Sequence, residues 1–314
     1  MGSGRLALGA GENTGSRCEP RAQSPESRAI IVNADDFGLS SGVNRAVVKG
    51  WREGILTSAS LMAGGDAFDE AVILAKLNPA LQVGLHLTLV QGRSVLPMEE
   101  IPGLVDHSGN FTDNPVLAGM RYFFLKGLRD QLRREIEAQL SKIRDAGIPL
   151  SHLDGHLNIQ MHPVVFDILM ELAPRYGVSS FRLTRERLTP ALLSDGERSL
   201  GKRADAFIFG RLSSRSLSLL KRQGIGYPDE VKGLLNSGRM TEPYLLDILD
   251  DLQPGATEIY FHPGVLPCAE ITRRMPDYRH EEELAALVSP RVIRKVKEKG
   301  ISLVNYRGEE KKVC

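Results

Sequence analysis

The sequence predicts a single α/β domain with parallel strands, and it favours a (β/α) barrel. From residue 28 onward, short strand-like segments alternate with helix-like segments, which is typical of a parallel sheet covered by helices. About seven such units over about 280 residues favour a barrel over an open sheet. An open doubly wound sheet is the alternative, although no glycine-rich dinucleotide fingerprint follows the first strand.

The predicted strands are short runs rich in apolar residues, each bounded by turn-forming residues. In chain order they are Ala29–Ala34, Ser58–Ala63, Gln82–Leu89, Ser151–His156, Ser180–Thr184, Thr257–His262 and Ile301–Asn305. The first of them ends abruptly in two adjacent carboxylates, Asp35 and Asp36.

Helices are predicted between these strands. They are Ser41–Glu53, Asp66–Lys76, Leu117–Ala146, Pro163–Tyr176, Arg215–Gln223, Glu242–Leu252 and Pro290–Lys299. Ser40 or Ser41 can cap the first helix with its hydroxyl, and Pro79 stops the second. Gly147 ends the third, and Leu96–Asn114 is predicted to be mostly loop because it carries Pro, Gly and Asp.

The sequence predicts two tails around one domain. Residues 1–27 are rich in Gly, Ser, Arg, Glu and Pro and are predicted to be a disordered tail. The barrel domain is predicted over residues 28–308, followed by a short C-terminal tail, 309–314. Within a less regular region, 185–240, we interpret the Arg- and Ser-rich stretch 198–223 as a solvated surface, with a lid or an oligomer contact as alternatives.

Composition and charge narrow the class of protein. Apolar residues make up 42% of the 314 residues and charged residues 25%, which is ordinary for a globular enzyme. The formal net charge of +1 gives no global electrostatic reason to expect nucleic acid or an acidic membrane surface as a partner. No apolar run approaches the roughly 20 residues that span a bilayer. Three scattered cysteines and no signal-peptide-like apolar region lead us to expect a reducing, cytoplasmic setting.

Titratable side chains cluster at the predicted carboxyl ends of four strands. In chain order they are Asp35 and Asp36, His86, the segment His152-Leu153-Asp154-Gly155-His156, and His262. The carboxyl ends of parallel strands gather on one face, where active sites form. A lone histidine in a strand is usually a core residue, and paired aspartates can cap a turn. The combination at four strand ends is more telling than any single member.

These residue types suit a metal-dependent hydrolase. His152, Asp154 and His156 share one face of a straight strand, and three buried polar groups are costly without a partner. One carboxylate and two imidazoles make a three-ligand divalent site with room for water and substrate. A second aspartate and another histidine then remain for general base and general acid catalysis.

With these motifs the chain resembles the YdjC-like carbohydrate deacetylase family. The matching motifs are Asn33-Ala34-Asp35-Asp36-Phe37-Gly38, Gly84-Leu85-His86-Leu87, His152-Leu153-Asp154-Gly155-His156 and His262-Pro263-Gly264. The segments Ser237–Thr241 and Thr257–Tyr260 are most similar to the branch associated with hopanoid biosynthesis, HpnK.

The resemblance implies a distorted (β/α) barrel that removes acetyl groups from N-acetylated sugars with one divalent metal ion. It implies that Asp36, His86 and His156 are the metal ligands, Asp35 the general base and His262 the general acid. The family points to Mg²⁺, whereas two imidazole ligands suit Zn²⁺ or Co²⁺ better. The metal identity stays open.

Three further residues are assigned to substrate binding, namely Arg182, Asp154 and His152. Arg182 is expected either to orient Asp35 or to hold a sugar hydroxyl, and a structural ion pair is an equal alternative. Chitooligosaccharide deacetylases often carry more histidines after the fourth-strand motif, where this chain has Leu-Asn-Ile-Gln at 157–160. This departure disfavours a chitooligosaccharide substrate more than it disfavours deacetylation.

The expected substrate is an acetylated sugar or glycolipid, and the HpnK resemblance implies an N-acetylglucosaminyl hopanoid. The alternatives are another carbohydrate deacetylase, a two-metal phosphoesterase on the same barrel, and a non-catalytic sugar- or lipid-binding module. A homodimer and a transient contact with a membrane surface are both left open.

Overall fold

The computed structural model describes residues 27–189, 192 and 199–312. The predicted N-terminal tail, apart from Ser27, lies outside these residues, as do residues 313 and 314 of the predicted C-terminal tail.

The described residues contain one curled sheet of eight parallel strands. The strands are β1 (Arg28–Phe37), β2 (Ser58–Leu61), β3 (Gln82–Leu87), β4 (Leu150–Gly155), β5 (Ser180–Phe181), β6 (Glu230–Lys232), β7 (Gly255–Phe261) and β8 (Ser302–Leu303). The order across the sheet is β5-β4-β3-β2-β1-β7-β6, and β8 pairs with the first residues of β1. The prediction of a parallel α/β fold is confirmed.

The two edges of the sheet meet, so that the sheet curls into a distorted barrel. Phe181 N donates to Gly226 O at 2.9 Å, and Gly226 N donates to Ser179 O at 2.8 Å. Farther along, Val231 N donates to Arg185 O at 3.0 Å. These few hydrogen bonds join the β5 edge to the β6 edge, and they favour the predicted barrel over the open sheet.

Helices connect the strands and cover the outside of the barrel. They are α1 (Ser41–Glu53), α2 (Phe68–Leu77), α3 (Pro115–Phe124), α4 (Arg129–Asp145), α5 (Pro163–Leu172), α6 (Ser199–Gln223), α7 (Glu242–Asp250), α8 (Ala269–Arg274), α9 (His280–Leu287) and α10 (Pro290–Glu298). Short 3₁₀ turns occur at Lys126–Leu128, His156–Met161 and Ala173–Tyr176. Ser40 caps α1, because its hydroxyl accepts a hydrogen bond from Val43 N at 3.3 Å.

Two helix predictions were wrong in extent. The helix predicted over Leu117–Ala146 is divided into α3 and α4, because Leu125 leaves helical geometry and a 3₁₀ turn containing Gly127 follows. The region 185–240 is more regular than predicted, since it holds the 25-residue helix α6 and the strand β6. Helix α6 buries Lys202, Ser213, Ser216 and Leu220, so apolar periodicity does not mark it. The short helices α8 and α9 were not predicted.

The barrel separates an apolar outer layer from a largely polar interior. Alternate residues of β1, such as Ile30 and Val32, pack into the main hydrophobic core beneath the helices. The interior holds a small apolar cluster of Ala29, Ile31, Val304 and Tyr306 near the start of β1. Toward the carboxyl ends of the strands the interior becomes polar, whereas most barrels of this type fill it with branched apolar side chains.

Residues beyond the predicted domain end at 308 also pack against the barrel. Glu310 pairs with Val304, and Lys311 Nζ donates to the carbonyls of Trp51, Gly54 and Leu56 at 2.6–2.8 Å.

Among the helices described, none combines the length and the apolar character needed to cross a bilayer.

Candidate active site

Neighbouring strands of the barrel carry polar residues at every second position, on the face that points into the barrel. The buried set comprises Asn33, Asp35, Ser60, His86, His152, Asp154, Arg182, Glu258 and Tyr260. The strand period of two points these side chains into the barrel, where they bond to one another across it. The predicted strand-end residues therefore come together at the carboxyl end of the barrel, as parallel strands require.

Asp36, His86 and His156 form a compact cluster at this end. Asp36 Oδ1 lies 3.0 Å from His156 Nδ1 and 3.3 Å from His86 Nε2, and one ligand atom from each residue falls within 4.8 Å of the others. All three side chains are buried. Asp36 Oδ2 and His86 Nε2 are buried without a hydrogen-bond partner in the described part of the chain. A carboxylate oxygen and an imidazole nitrogen that are buried without partners are suitable ligand atoms for a divalent cation.

The backbone explains how two adjacent aspartates reach the same site. Side chains of consecutive strand residues normally point to opposite faces, so Asp36 would leave the interior that Asp35 enters. Asp36 instead has a left-handed φ of 63°, and the register between β1 and β2 shifts between Ala34 and Phe37. A bulge of this kind redirects a side chain, and the strained φ costs about 1–3 kcal/mol.

His156 stands at the first position of a 3₁₀ turn that is broken by left-handed residues at 157 and 158. In this turn Thr184 Oγ1 donates to Asn158 Oδ1 at 2.8 Å, and Gln160 Nε2 donates to Thr184 Oγ1 at 3.1 Å. Asn158 and Gln160 thus hold the turn through Thr184.

Asp154 fixes the orientation of His86. Its Oδ1 accepts a hydrogen bond from His86 Nδ1 at 2.8 Å, which leaves Nε2 directed at Asp36. Burial by itself lowers the pKa of His86, but the carboxylates of Asp154, Asp35 and Asp36 oppose it and raise that pKa to about 10. A carboxylate that holds the far nitrogen of an imidazole is a common arrangement behind metal ligands.

Arg182 is the centre of a buried network of ion pairs. Its side chain has no exposed surface and contacts Asp35, Asp154 and Glu258 at 2.6–2.8 Å. Its guanidinium also lies over the ring of Tyr260, 4.4 Å from the centroid. These acceptors occupy its donors on every side, and Asp154 is buried as well. Substrate binding by Arg182 and Asp154 stays a prediction. They position other groups, and for Arg182 the structural ion pair and the orientation of Asp35 are both present.

His152 is likewise a structural residue of the interior. Its Nε2 lies 3.0 Å from Ser60 Oγ, and its ring stacks on Tyr306 with 3.7 Å between centroids. Burial lowers its pKa to about 3, so the imidazole is neutral. It has no exposed surface, and its role in substrate binding stays a prediction. The space for its ring exists because Gly84 faces it: a Cβ at residue 84 would lie 2.5 Å from the imidazole.

His262 lies at the end of β7, beside Asp35. Its Nε2 is 3.9 Å from Asp35 Oδ2, and its Nδ1 has no partner among the described residues. The rings of Tyr260 and Tyr278 flank it, with centroids 5.7 and 5.0 Å away. Burial lowers the pKa of His262 to about 4, although Asp36 and Asp35 oppose that effect.

The backbone around His262 is held by two buried residues of α9. Glu283 accepts a hydrogen bond from His262 N, and the ring of His280 places Nδ1 2.7 Å from His262 O. His280 is not among the site residues predicted from the sequence. Its role was missed because helix α9 itself was not predicted.

The family model of the YdjC-like proteins matches residues 29–298 of this chain. The chain belongs to the YdjC-like family. A carbohydrate deacetylase of Geobacillus stearothermophilus is 30% identical over 284 residues, which cover 89% of this chain and 97% of that protein. A carbohydrate deacetylase of Thermoanaerobacter pseudethanolicus is 32% identical over 279 residues, with coverage of 88% and 97%. The family predicted from the motifs is confirmed.

The fold of this YdjC-like protein also occurs in a solved structure. A putative cellobiose-phosphate cleavage protein from Enterococcus faecalis superposes with a TM-score of 0.69 at 24% identity, covering 89% of this chain and 98% of that one. At this level of identity the likeness establishes the fold, which agrees with the barrel described above.

Several interior residues of this YdjC-like barrel were not predicted to belong to the site. Asn33, Ser60, Glu258 and Tyr260 are buried and bond to, or pack on, the predicted site residues. A usable signal existed, because polar residues recur with period two in strands that are otherwise apolar. Tyr278 gave no such signal, since it lies in a loop before α9.

Proposed function

We propose that this YdjC-like protein is a metal-dependent carbohydrate deacetylase, which hydrolyses the N-acetyl group of an acetamido sugar. The observation that supports the proposal most directly is the buried cluster of Asp36, His86 and His156 with Asp35 and His262 beside it. The relatives that cover almost the whole chain carry the name carbohydrate deacetylase. The names of these relatives support a carbohydrate as the substrate, and the cluster supports metal-dependent hydrolysis as the reaction.

Asp36, His86 and His156 would hold the metal ion. A bound divalent ion supplies Lewis acidity, which polarises an amide carbonyl and lowers the pKa of a water molecule. The ion stays unassigned between Mg²⁺, Zn²⁺ and Co²⁺. One carboxylate and two imidazoles favour Zn²⁺ or Co²⁺ as ligands, whereas the resemblance to the family favours Mg²⁺. Asp154 would keep His86 in the ligand orientation.

Asp35 would remove the proton of the attacking water. Arg182 and Asn33 donate to its carboxylate and fix the plane of the group, while the Oδ2 side faces His262. The oxygen of water bonds to the carbonyl carbon, the C–N bond breaks, and the products are acetate and the amine of the sugar. A base within hydrogen-bond reach of its proton contributes typically 10²–10⁴-fold to the rate, an order-of-magnitude expectation.

His262 would deliver a proton to the departing nitrogen. Because burial keeps its pKa near 4, the imidazole is neutral at rest, and it must gain a proton during the cycle before it can give one up. The nearest carboxylate is that of Asp35, 3.9 Å from Nε2. Asp35 and His262 would therefore act as a pair, one receiving a proton and the other releasing it.

The finer proposal is that the acetamido sugar is the head of a glycolipid, such as an N-acetylglucosaminyl hopanoid. Leu157, next to His156, is 40% exposed and provides an apolar neighbour for such a substrate. A chitooligosaccharide is the alternative substrate. The cytoplasmic setting and the homodimer stay predictions.

The phosphoesterase alternative would require a second metal ion. Asp35, His86 and Asp154 form a second group with ligand-like spacing. However, the guanidinium of Arg182 already binds Asp35 and Asp154 at 2.7–2.8 Å. A fixed cation in that position repels a second one, so the geometry favours a single-metal enzyme.

The test is acetate release from N-acetylglucosamine, N-acetylglucosaminyl lipids and chitooligosaccharides by protein stripped of metal and reloaded with one metal at a time. We expect acetate from at least one substrate, abolished by chelation and by Asp35→Asn. Phosphate release from phosphate esters, with two metals bound per chain, would support the phosphoesterase instead. Failure of every acetamido substrate with a fully loaded site would refute the deacetylase.

A further inference from the structure

Two helices of this barrel expose an unusual amount of apolar surface. Nine of the thirteen large apolar side chains that are exposed in the described residues belong to α3, its following residue and α6. They are Val116, Leu117, Met120, Phe123, Phe124, Leu125, Leu200, Phe207 and Ile208. Scattered single apolar residues are normal on a protein surface, whereas a concentration of this size marks an interaction site.

The apolar residues occupy one side of each helix. In α3, the spacing of Val116, Met120, Phe123 and Phe124 follows the i, i+4, i+7, i+8 pattern of a single helical face. In α6, Leu200, Phe207 and Ile208 have the corresponding spacing. Phe123 and Phe124 are 53% and 67% exposed, although the edge of the Phe123 ring also meets the ring of His162 at 6.3 Å between centroids.

Both helices are anchored at the end of the barrel that carries the metal-ligand cluster. Tyr122 Oη donates to Leu89 O at 2.6 Å, which ties α3 to the segment just after β3 and His86. Ser213 Oγ donates to Thr184 O at 2.7 Å, which ties α6 to the segment just after β5. Helix α5, which follows His156 along the chain, contacts both of them. Both helices are therefore tied to segments that follow the carboxyl ends of barrel strands.

The surface that carries these faces is strongly basic. The segments Pro115–Arg134, Pro163–Leu172 and Ser199–Gln223 together hold eleven Lys or Arg against four Asp or Glu. Lys202 is buried, which leaves ten basic side chains and a net charge of +6 at the surface. The whole chain has a net charge of only +1. Asp167 pairs with Arg215, and Glu171 with Arg129 and Arg133, so the acidic residues of α5 are already included in that balance.

We propose that α3 and α6 form a docking surface for an anionic lipid bilayer. Exposed Phe, Leu and Met next to Lys and Arg is the composition of helices that lie in a membrane interface, where apolar burial and attraction to anionic lipids add together. A second copy of the chain is the main competitor. It is disfavoured because a two-fold dimer would bring the same basic surface against itself.

This inference goes beyond the proposed function, because binding to a bilayer requires neither substrate nor turnover. It would place the mouth of the barrel at the membrane surface, where a glycolipid head group is within reach. The experiment therefore measures lipid binding alone, so that a failure of deacetylation and a failure of docking are separate results.

The experiment is co-sedimentation of the full chain with phosphatidylcholine vesicles that do or do not contain phosphatidylglycerol. We expect binding to the anionic vesicles, weakened by salt and by the absence of phosphatidylglycerol. Phe123→Ser with Phe124→Ser should reduce the partition coefficient about tenfold or more. Lys126→Gln with Arg203→Gln should reduce it roughly thirtyfold at low salt, since each basic residue near an anionic surface contributes separately.

The matched control is Ile73→Ser with Leu77→Ser on α2, where the two side chains are 60% and 66% exposed and the helix packs on α1 instead. This control should bind vesicles like the wild type, and circular dichroism should show that all variants are folded. Absence of binding to anionic vesicles would overturn the proposal, as would an equal loss in the control. Light scattering that shows a dimer broken by the Phe123→Ser, Phe124→Ser change would assign the surface to a second copy and also overturn it.

Discussion

Arg182 binds both carboxylate oxygens of Asp35, with Nη1 2.8 Å from Oδ2 and Nη2 2.7 Å from Oδ1. The two residues come from opposite sides of the barrel and are 147 positions apart in the chain. The same guanidinium also pairs with Asp154 and Glu258. The orientation of the proposed base and of the carboxylate behind His86 thus depends on one buried cation.

Replacement of Arg182 by Met should destabilise the fold severely. Three buried carboxylates would lose their cation, and an uncompensated buried charge costs about 3–5 kcal/mol. Urea unfolding followed by circular dichroism measures the loss. Arg134→Met is the control, because Arg134 is exposed and pairs with exposed Asp130, so its loss should stay below about 1 kcal/mol. Similar losses in the two variants would contradict a central structural role for Arg182.

Asp36→Asn and Asp35→Asn should separate metal binding from proton transfer. The first change removes the proposed carboxylate ligand, so metal content and affinity should fall. The second leaves the cluster intact, and it should retain the metal while losing acetate release. Metal analysis after dialysis and an acetate assay on the same samples make the comparison. If Asp35→Asn lost the metal as completely as Asp36→Asn, the assignment of separate roles would be wrong.

Asp154→Asn should weaken metal binding through His86. An amide keeps the size of the side chain but removes the charge that orients the imidazole, and loss of such a partner typically lowers metal affinity about 10–100-fold. Isothermal titration with Zn²⁺ or Co²⁺ measures the change. The drop should be smaller than that of His86→Ala, and an unchanged affinity would show that Asp154 does not support the ligand.

Gly84→Ala tests whether the barrel interior is as tightly packed as the distances indicate. The added Cβ would lie 2.5 Å from the ring of His152, which is itself fixed between Ser60 and Tyr306. Overpacking of this kind costs about 1–3 kcal/mol, to be read from thermal or urea unfolding. Gly210→Ala in α6 is the control, because no atom lies within 4 Å of the new Cβ and alanine favours helix. Stability that is equal in both variants would mean that His152 can move aside.

Much of the site follows from the sequence because its residues stand at the ends of strands. Once β1, β3, β4 and β7 are recognised as parallel, their carboxyl ends must share one face, so Asp35, His86, His156 and His262 are expected to meet there. Asp36 joins them only through the bulge at the end of β1. The division of labour between Asp35 and Asp36 was also available as a hypothesis. The roles of the other interior residues could not be predicted. A strand pattern shows which face a residue occupies, but it does not show which residue it contacts across the barrel.

The sequence by itself determined the parallel α/β class, the family, and the set of strand-end residues that approach one another, since alternation of elements and short motifs are local properties of the chain. Only the tertiary structure decided that Arg182, Asp154 and His152 are fully buried and bonded to other interior residues. Their contacts join strands far apart in sequence, and burial is a property of the assembled barrel. The tertiary structure also showed the bulge that turns Asp36 into the site and the uncovered apolar faces of α3 and α6. Local sequence periodicity cannot distinguish a helix face that packs against the core from one that stays exposed.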